Sequence, residues 1–448
     1  MRSNVVHFDL GIRAGLLLPM KDGTGELRNQ FFIGIKDHYI AEVTPFREHY
    51  AVACKHFIDL KDQIVLPGLI NAHTHLAMSL FRGYEDDLPF QEWLFNRIFP
   101  MEAELVDAHF VKVGTQLSAL ECIRFGTTTV NDMYFFPETT AEVLDQAGMR
   151  GMVAKPFMDF VMPDEKHLGV NPIPGRAERF KQFHEKYANH SRIRPVLGPH
   201  APYTCSDELM KQMIDLSKEF HVPIHMHVSE TRGEVEESIK KYGKRPVKRL
   251  HDLGMLNKNF LAAHMVHVDP EEAELFAKSG ARVIYNPDSN VKLGSGIAPI
   301  AEFRKQKILC ALGTDGAASN NDLSMFGAMD LGTKIQKLSN QNNTAMVALD
   351  ALNLATYEGA KALGMGNKIG TIEVGKLADL ISVRTDLPHV KPLYSVLSQL
   401  VYAYQGLEVD TVVCDGQVLL ENGVHKTLNP ESIYQDVEKI RQQIKRKR

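Results

Sequence analysis

The sequence predicts an α/β protein: a (β/α)8 TIM-like barrel with a small β-sandwich domain built from both chain ends. Three observations predict it. From residue 64 to Asp315, eight apolar or β-branched runs recur, each followed by a helical stretch or a long loop. Such alternation over roughly 300 residues favours a closed parallel barrel. No glycine-rich phosphate loop follows any run, which counts against an open doubly wound sheet. Before residue 67 and after residue 370, short strands broken by turn residues replace the alternation. The expected units are 1–66, first part of the sandwich; 67–370, the barrel; and 371–448, second part of the sandwich with a C-terminal helix.

The elements follow in order. Phe31–Ile35 and Tyr39–Val43 flank Lys36-Asp-His38, a hairpin signature, and Asp22-Gly23 marks another turn. The first barrel strand is Ile64–His75. A helical period over Phe110–Phe125 precedes strand two, Gly126–Asp132. A short helix, Thr139–Gly148, closes on glycine before strand three, Gly151–Lys155. The helix Ala177–Tyr187 leads to strand four, Ile193–Gly198, which runs into His200. The helix Asp207–Phe220 leads to strand five, Pro223–His227. Strands six to eight are Phe260–His264, Ala281–Tyr285 and Lys307–Gly313. Gly375–Val383, Val409–Val413 and Gly416–Leu420 return to β texture. A last helix starts at Pro430 with Asn429 as N-cap, and Lys445–Arg448 reads as a solvated, frayed end.

Composition narrows the function classes. The chain has 448 residues, 44% hydrophobic and 24% charged, as in ordinary soluble proteins. A net charge of −4 supplies no basic field for nucleic acid. No apolar run approaches the ~18 residues of a membrane span, and no signal peptide is evident. The five cysteines are scattered without Cys-x-x-Cys spacing, which argues against a disulfide framework and for the cytoplasm. Self-association is left open.

In a barrel, chemistry collects at the C-terminal strand ends. Strand one ends in His73 and His75, which alternation places on one face. Alone, that His-x-His is weak evidence for a metal. The other strand ends supply His200, His227, His264 and Asp315, with Glu230 three residues past His227. Bland readings compete. His225 shares the face of His227, and His267 lies just beyond His264. Asp315 precedes Gly316 as turn aspartates do, and Glu230 could cap a helix. Three neutral imidazoles and one carboxylate suit a single divalent ion per subunit, Zn²⁺ first and Fe²⁺ second. Such an ion lowers the pKa of a bound water to about 7. The His/Cys/Cys zinc motif of nucleic-acid base deaminases is absent.

The chain resembles the amidohydrolase superfamily in its mononuclear, nucleobase-deaminating branch. The motifs are Pro67-Gly-Leu-Ile-Asn-Ala-His-Thr-His75, Gly198-Pro-His-Ala-Pro-Tyr203, His227-Val-Ser-Glu230, Ala263-His264, Leu312–Asn321 and Gly370–Asp379. They span nearly the whole length. Within the branch it is most similar to deaminases of 5-methylthioadenosine and S-adenosylhomocysteine. The resemblance implies His73, His75, His227 and Asp315 as metal ligands. It implies His264 at the hydrolytic water, Glu230 as proton shuttle to the purine ring, and His200 and Glu102 at the substrate, Glu102 at the ribose hydroxyls. Trp93, the only tryptophan, would wall the pocket, with core packing as the alternative. Where the family places an arginine near the end of strand three, only Lys155 is available, and a second arginine is matched by Arg176.

The implied reaction is hydrolytic deamination of a small-molecule purine nucleoside: adenosine, methylthioadenosine or S-adenosylhomocysteine. It would break a cyclic amidine C–N bond and release ammonia. Alternatives are guanine or cytosine deamination, triazine dechlorination, or a non-catalytic scaffold. His200 stands where a two-metal relative would carry a carboxylated lysine, which implies one metal.

Overall fold

The computed structural model describes residues 7–168 and 175–447. The strands β1 (Phe8–Leu17), β2 (Arg28–Lys36), β3 (Tyr39–Pro45) and β4 (Cys54–Pro67) open the chain. The barrel strands are β5 (Leu69–Thr74), β6 (Thr127–Met133), β7 (Arg150–Phe157), β8 (Ile193–Pro199), β9 (Ile224–Val228), β10 (Phe260–His264), β11 (Arg282–Tyr285) and β12 (Cys310–Leu312). The strands β13 (Leu380–Arg384), β14 (Val409–Cys414), β15 (Gln417–Glu421) and β16 (Val424–His425) follow.

Both chain ends share one mixed sheet, ordered β16-β15-β14-β13-β4-β1-β2-β3. Its seam is the antiparallel β4–β13 pair, in register from Leu380 opposite Pro67 to Arg384 opposite Gln63. The sheet curls until the β2–β3 hairpin meets the segment before β13. The Ala378 amide donates to the His38 carbonyl at 2.9 Å and the Ile40 amide to the Lys376 carbonyl at 2.8 Å. The curl encloses Ile12, Ile33, Ile35, Leu60, Leu380 and Val413. The hairpin turns at Asp37, whose φ of 54° suits an aspartate.

The second sheet runs β5 to β12 in chain order, with parallel neighbours throughout. It closes where β12 returns to β5: the Asp315 amide donates to the His73 carbonyl at 3.0 Å and the Thr314 amide to Asn71 Oδ1 at 3.1 Å. Met152, Ala154, Val196, Leu261, Ile284 and Ala311 share one buried cluster. Their strand neighbours Val153, Leu197, Ala262, Val283 and Leu312 belong to another, packed with helical residues. A period of two sends the first set inward and the second out to the helices.

The helices carry the capping expected of them. Asp107 accepts the Phe110 amide at 2.7 Å, and Ser206 accepts the Leu209 amide at 3.3 Å. The helix Pro137–Ala147 ends on Gly148 at φ 80°. The last helix, Pro430–Lys447, stays helical where a frayed end is expected, with Ile440 and Ile444 buried; Lys445, Arg446 and Lys447 are exposed, and Arg448 lies outside the described residues. Among the described residues no helix is long and apolar enough to cross a membrane, and the five cysteines are free.

Candidate active site

The C-terminal rim of the barrel brings His73, His75, His227, His264 and Asp315 together. On β9, Ile224, Met226 and Val228 belong to the outer core, so alternation turns His225 and His227 inward. The donor atoms converge in two groups that share His73: His73, His75 and Asp315, and His73, His227 and His264. Asp315 Oδ1 lies 3.4 Å from His73 Nε2 and 3.2 Å from His75 Nε2. His227 Nε2 lies 3.3 Å from His75 Nε2. Tetrahedral donors about 2.0–2.1 Å from an ion sit about 3.3 Å from one another.

The tautomers fit the same conclusion. His75 Nδ1 faces the Met133 carbonyl at 2.6 Å and His227 Nδ1 faces the His200 carbonyl at 2.7 Å. A carbonyl only accepts, so each Nδ1 carries a proton and each Nε2 is the atom turned toward the donor cluster. Burial opposes charge on His75, but its contacts with Asp315 outweigh it and raise the pKa to about 9, so positive charge is drawn between His75 Nε2 and the carboxylate. His73 Nε2 is buried and has no hydrogen-bond partner. The donor set therefore fits a metal ion, with the outer ring nitrogens anchored as metal-ligating histidines require.

The competing histidines fall outside this cluster. His225 sits behind His73, with Nε2 2.9 Å from His73 Nδ1 and Nδ1 3.2 Å from the Asn131 amide nitrogen. His267 Nε2 faces the Ser295 carbonyl at 2.7 Å. His264 differs from the other three in its partners: Asn290 donates to its Nδ1 at 2.8 Å, which leaves the proton on Nε2. That Nε2 stands 3.9 Å from both Glu230 Oε2 and Asp315 Oδ2. Burial pushes the His264 pKa down to about 3, so the ring is neutral.

Glu230 reaches the site through a backbone reversal. Three residues past His227, a straight strand would face it the other way. Ser229 at φ 52° turns the chain back. Ser295 Oγ donates to Glu230 Oε1 at 3.4 Å, and Glu234 accepts the Glu230 amide at 2.8 Å. Burial, then the negative charges of Asp315 and Glu234, raise the Glu230 pKa well above the usual carboxyl range. Burial also disfavours ionised Asp315, but hydrogen bonds and charge from His73 and His75 outweigh it and hold its pKa well below the usual value.

A cavity opens above these groups, lined also by Trp93, Glu102 and His200. Trp93 stands on a π-helical stretch, Glu92–Ile98, that leads into the helix Phe99–Leu105 bearing Glu102. Burial raises the Glu102 pKa to about 7, although Tyr134, donating at 2.7 Å, opposes the shift. His200 Nδ1 lies 3.0 Å from Thr204 Oγ1.

Two predicted site residues do not reach the cavity. Lys155 follows the outward register of Val153 and Phe157. Its Nζ lies 3.7 Å from Glu138 and 3.8 Å from Asp164. Arg176 is buried, and its guanidinium is spent on Glu165 and on the carbonyls of Met158 and Phe160. Sequence reasoning missed Tyr134, Asn290 and Ser295. Tyr134 lies just past the end of β6, so reading every strand end for polar aromatics would have found it. Asn290 and Ser295 carry no local signal.

A family model described as Amidohydrolase family matches residues 64–419. The chain belongs to the amidohydrolase family. This amidohydrolase is 41% identical over 433 residues to 5-methylthioadenosine/S-adenosylhomocysteine deaminase of Thermoanaerobacter pseudethanolicus, covering 96% of this chain and 98% of that one. It is 43% identical over 390 residues to 5'-deoxyadenosine deaminase of Methanocaldococcus jannaschii, covering 86% and 89%. Among solved structures it is similar to an adenosine deaminase from Xanthomonas campestris with bound zinc. That match has a TM-score of 0.92 at 35% identity and covers 98% and 99% of the two chains.

Proposed function

We propose that this amidohydrolase deaminates an adenine nucleoside by hydrolysis, with His73, His75, His227 and Asp315 holding one divalent ion. Zinc is the ion favoured by the donor set and by the zinc-bearing relative. The observation that carries the reading is the placement of Glu230 Oε2 and Asp315 Oδ2 each 3.9 Å from His264 Nε2, in one cavity with the donor cluster; burial favours the neutral form of Glu230, and the histidine contacts favour the ionised form of Asp315. Two carboxyls pushed to opposite protonation states divide acid from base work.

When bound, the ion supplies Lewis-acid activation of a water at neutral pH. The His264 Nε2–H holds the oxygen of that water. Glu230 gives its proton to the purine ring nitrogen beside C6, which keeps negative charge from building on the ring as C6 becomes tetrahedral. Asp315 Oδ2, on the side facing His264, takes one proton of the water and passes it to the departing amine; the second water proton leaves the oxygen as the C6 carbonyl forms and restores the Glu230 acid. Water is added and ammonia leaves, giving the inosine-type product. Glu102, steadied by Tyr134, receives the ribose hydroxyls. His200 contacts the substrate, and Trp93 packs on its apolar faces.

The test is ammonia release by zinc-loaded protein from adenosine, 5′-deoxyadenosine and 5′-methylthioadenosine, run beside guanine and a chlorotriazine. Turnover of the adenosines alone is the expected result. Turnover confined to guanine or the triazine would overturn the assignment.

A further inference from the structure

The cavity has an unusual charge inventory for a site whose relatives include one named for S-adenosylhomocysteine. Its apolar wall is built by Phe90, Trp93, Phe99, Phe135, Met158 and Leu293. Its ionisable carboxyl groups are Glu102, Glu230 and Asp315. Among the described residues no lysine or arginine lines it. The apolar character continues to the rim, where Phe160 and Val161 are exposed.

The two cations that the sequence offers for this role are committed elsewhere. Lys155 is buried on the outer face of β7 between Glu138 and Asp164. Arg176 holds the Met158 and Phe160 carbonyls from behind, and Met158 is part of the wall. Arg176 therefore builds an apolar surface and does not project a charge through it. Its partner Glu165 is itself buried and satisfied by Arg176 and Arg179, so releasing the guanidinium would strand a buried carboxylate.

We infer that this pocket selects adenosines with a small, uncharged 5′ group and rejects those whose 5′ chain ends in an amino-acid carboxylate. The inference rests on the deaminase reading and adds the substrate class to it. A carboxylate entering here leaves water and finds no lysine or arginine among the lining residues. Burying such a charge without a partner is costly. A methylthio or 5′-deoxy group meets only apolar surface and gains from burial.

The test uses the zinc-loaded enzyme and three substrates: 5′-methylthioadenosine, its uncharged 5′-butylthio homologue, and S-adenosylhomocysteine. The expected kcat/KM for the butylthio compound lies within about tenfold of the methylthio compound. For S-adenosylhomocysteine the expected value falls roughly 100-fold below both. S-adenosylhomocysteine within tenfold of methylthioadenosine overturns the inference. A butylthio compound as poor as S-adenosylhomocysteine also overturns it, because length and not charge would then decide. Inactivity toward all three overturns the deaminase reading itself, a distinguishable result.

Discussion

Glu230 is useful to the proposed chemistry only while it carries a proton, and its surroundings keep it there. Burial and the nearby Asp315 charge both favour the neutral acid. Glu230→Gln retains the shape and an oxygen for Ser295 but has no proton to give. The expected loss in kcat is about 10²- to 10⁴-fold, with metal content by elemental analysis unchanged, since Glu230 lies outside the donor cluster. Full turnover by that variant would remove Glu230 from the mechanism. Glu102 makes a different statement, about stability. Its folded pKa of about 7 exceeds the ordinary 4.5. Between those values the folded state holds a proton that the unfolded chain has released, so stability falls as pH rises from about 4.5 to 7 and is level outside that window. The span corresponds to about 3 kcal/mol. In metal-free protein, Glu102→Gln should flatten the denaturation free energy between pH 5 and 8 by an amount of that order; an unaltered slope would remove Glu102 as its source.

At the scale of elements, what sequence could read followed from period and position. Alternation alone put His73 and His75 on one face, and the run of strand ends collected His200, His227, His264 and Asp315. What it could not read are the places where backbone or long-range pairing overrides the pattern. Ser229 at φ 52°, His264 at 75° and Asp315 at 63° stand in the left-handed region, where a non-glycine residue costs of order 1–3 kcal/mol. The reversals at Ser229 and His264 aim side chains that a straight strand would misdirect. Lys155 was read by its nearness to a strand end, but its register sends it outward. Arg176 matches the family's second arginine, but its ties to Glu165 and two carbonyls cannot be assigned from spacing. The structural role given to Arg176 makes its own prediction. Arg176→Met leaves Glu165 with Arg179 and the Met162 amide and frees two carbonyls, so unfolding in denaturant should show a loss of about 2 kcal/mol or more. Wild-type stability in that variant would mean that the Glu165 contacts do not hold the wall.

Across the whole molecule, the two sheets and the metal site are tied at opposite ends of the barrel. At the base, Arg150 at the start of β7 binds Asp379 through two nitrogens, at 2.9 and 3.1 Å, and reaches Asp415 at 3.2 Å, all three buried. At the rim, the candidate donors come from β5, from β9 across the barrel, and from the turn after β12. An ion there joins the first strand to the last beside the single Asp315–His73 backbone link, and it joins both to β9. The hydrophobic clusters do not depend on that link, because they are filled by side chains of the strands and helices below it. Removing the ion should therefore leave the protein folded but without the link between the three elements. With free metal at about a thousand times its dissociation constant, the stabilisation lost is about 4 kcal/mol. The check is a thermal melt before and after treatment with a strong chelator, with bound metal assayed in each sample. The expected outcome is a lower but still cooperative transition that zinc restores. An unchanged transition in protein shown to have lost its metal would mean that the rim is closed by the chain alone, and that the four donors do not act as a structural clasp.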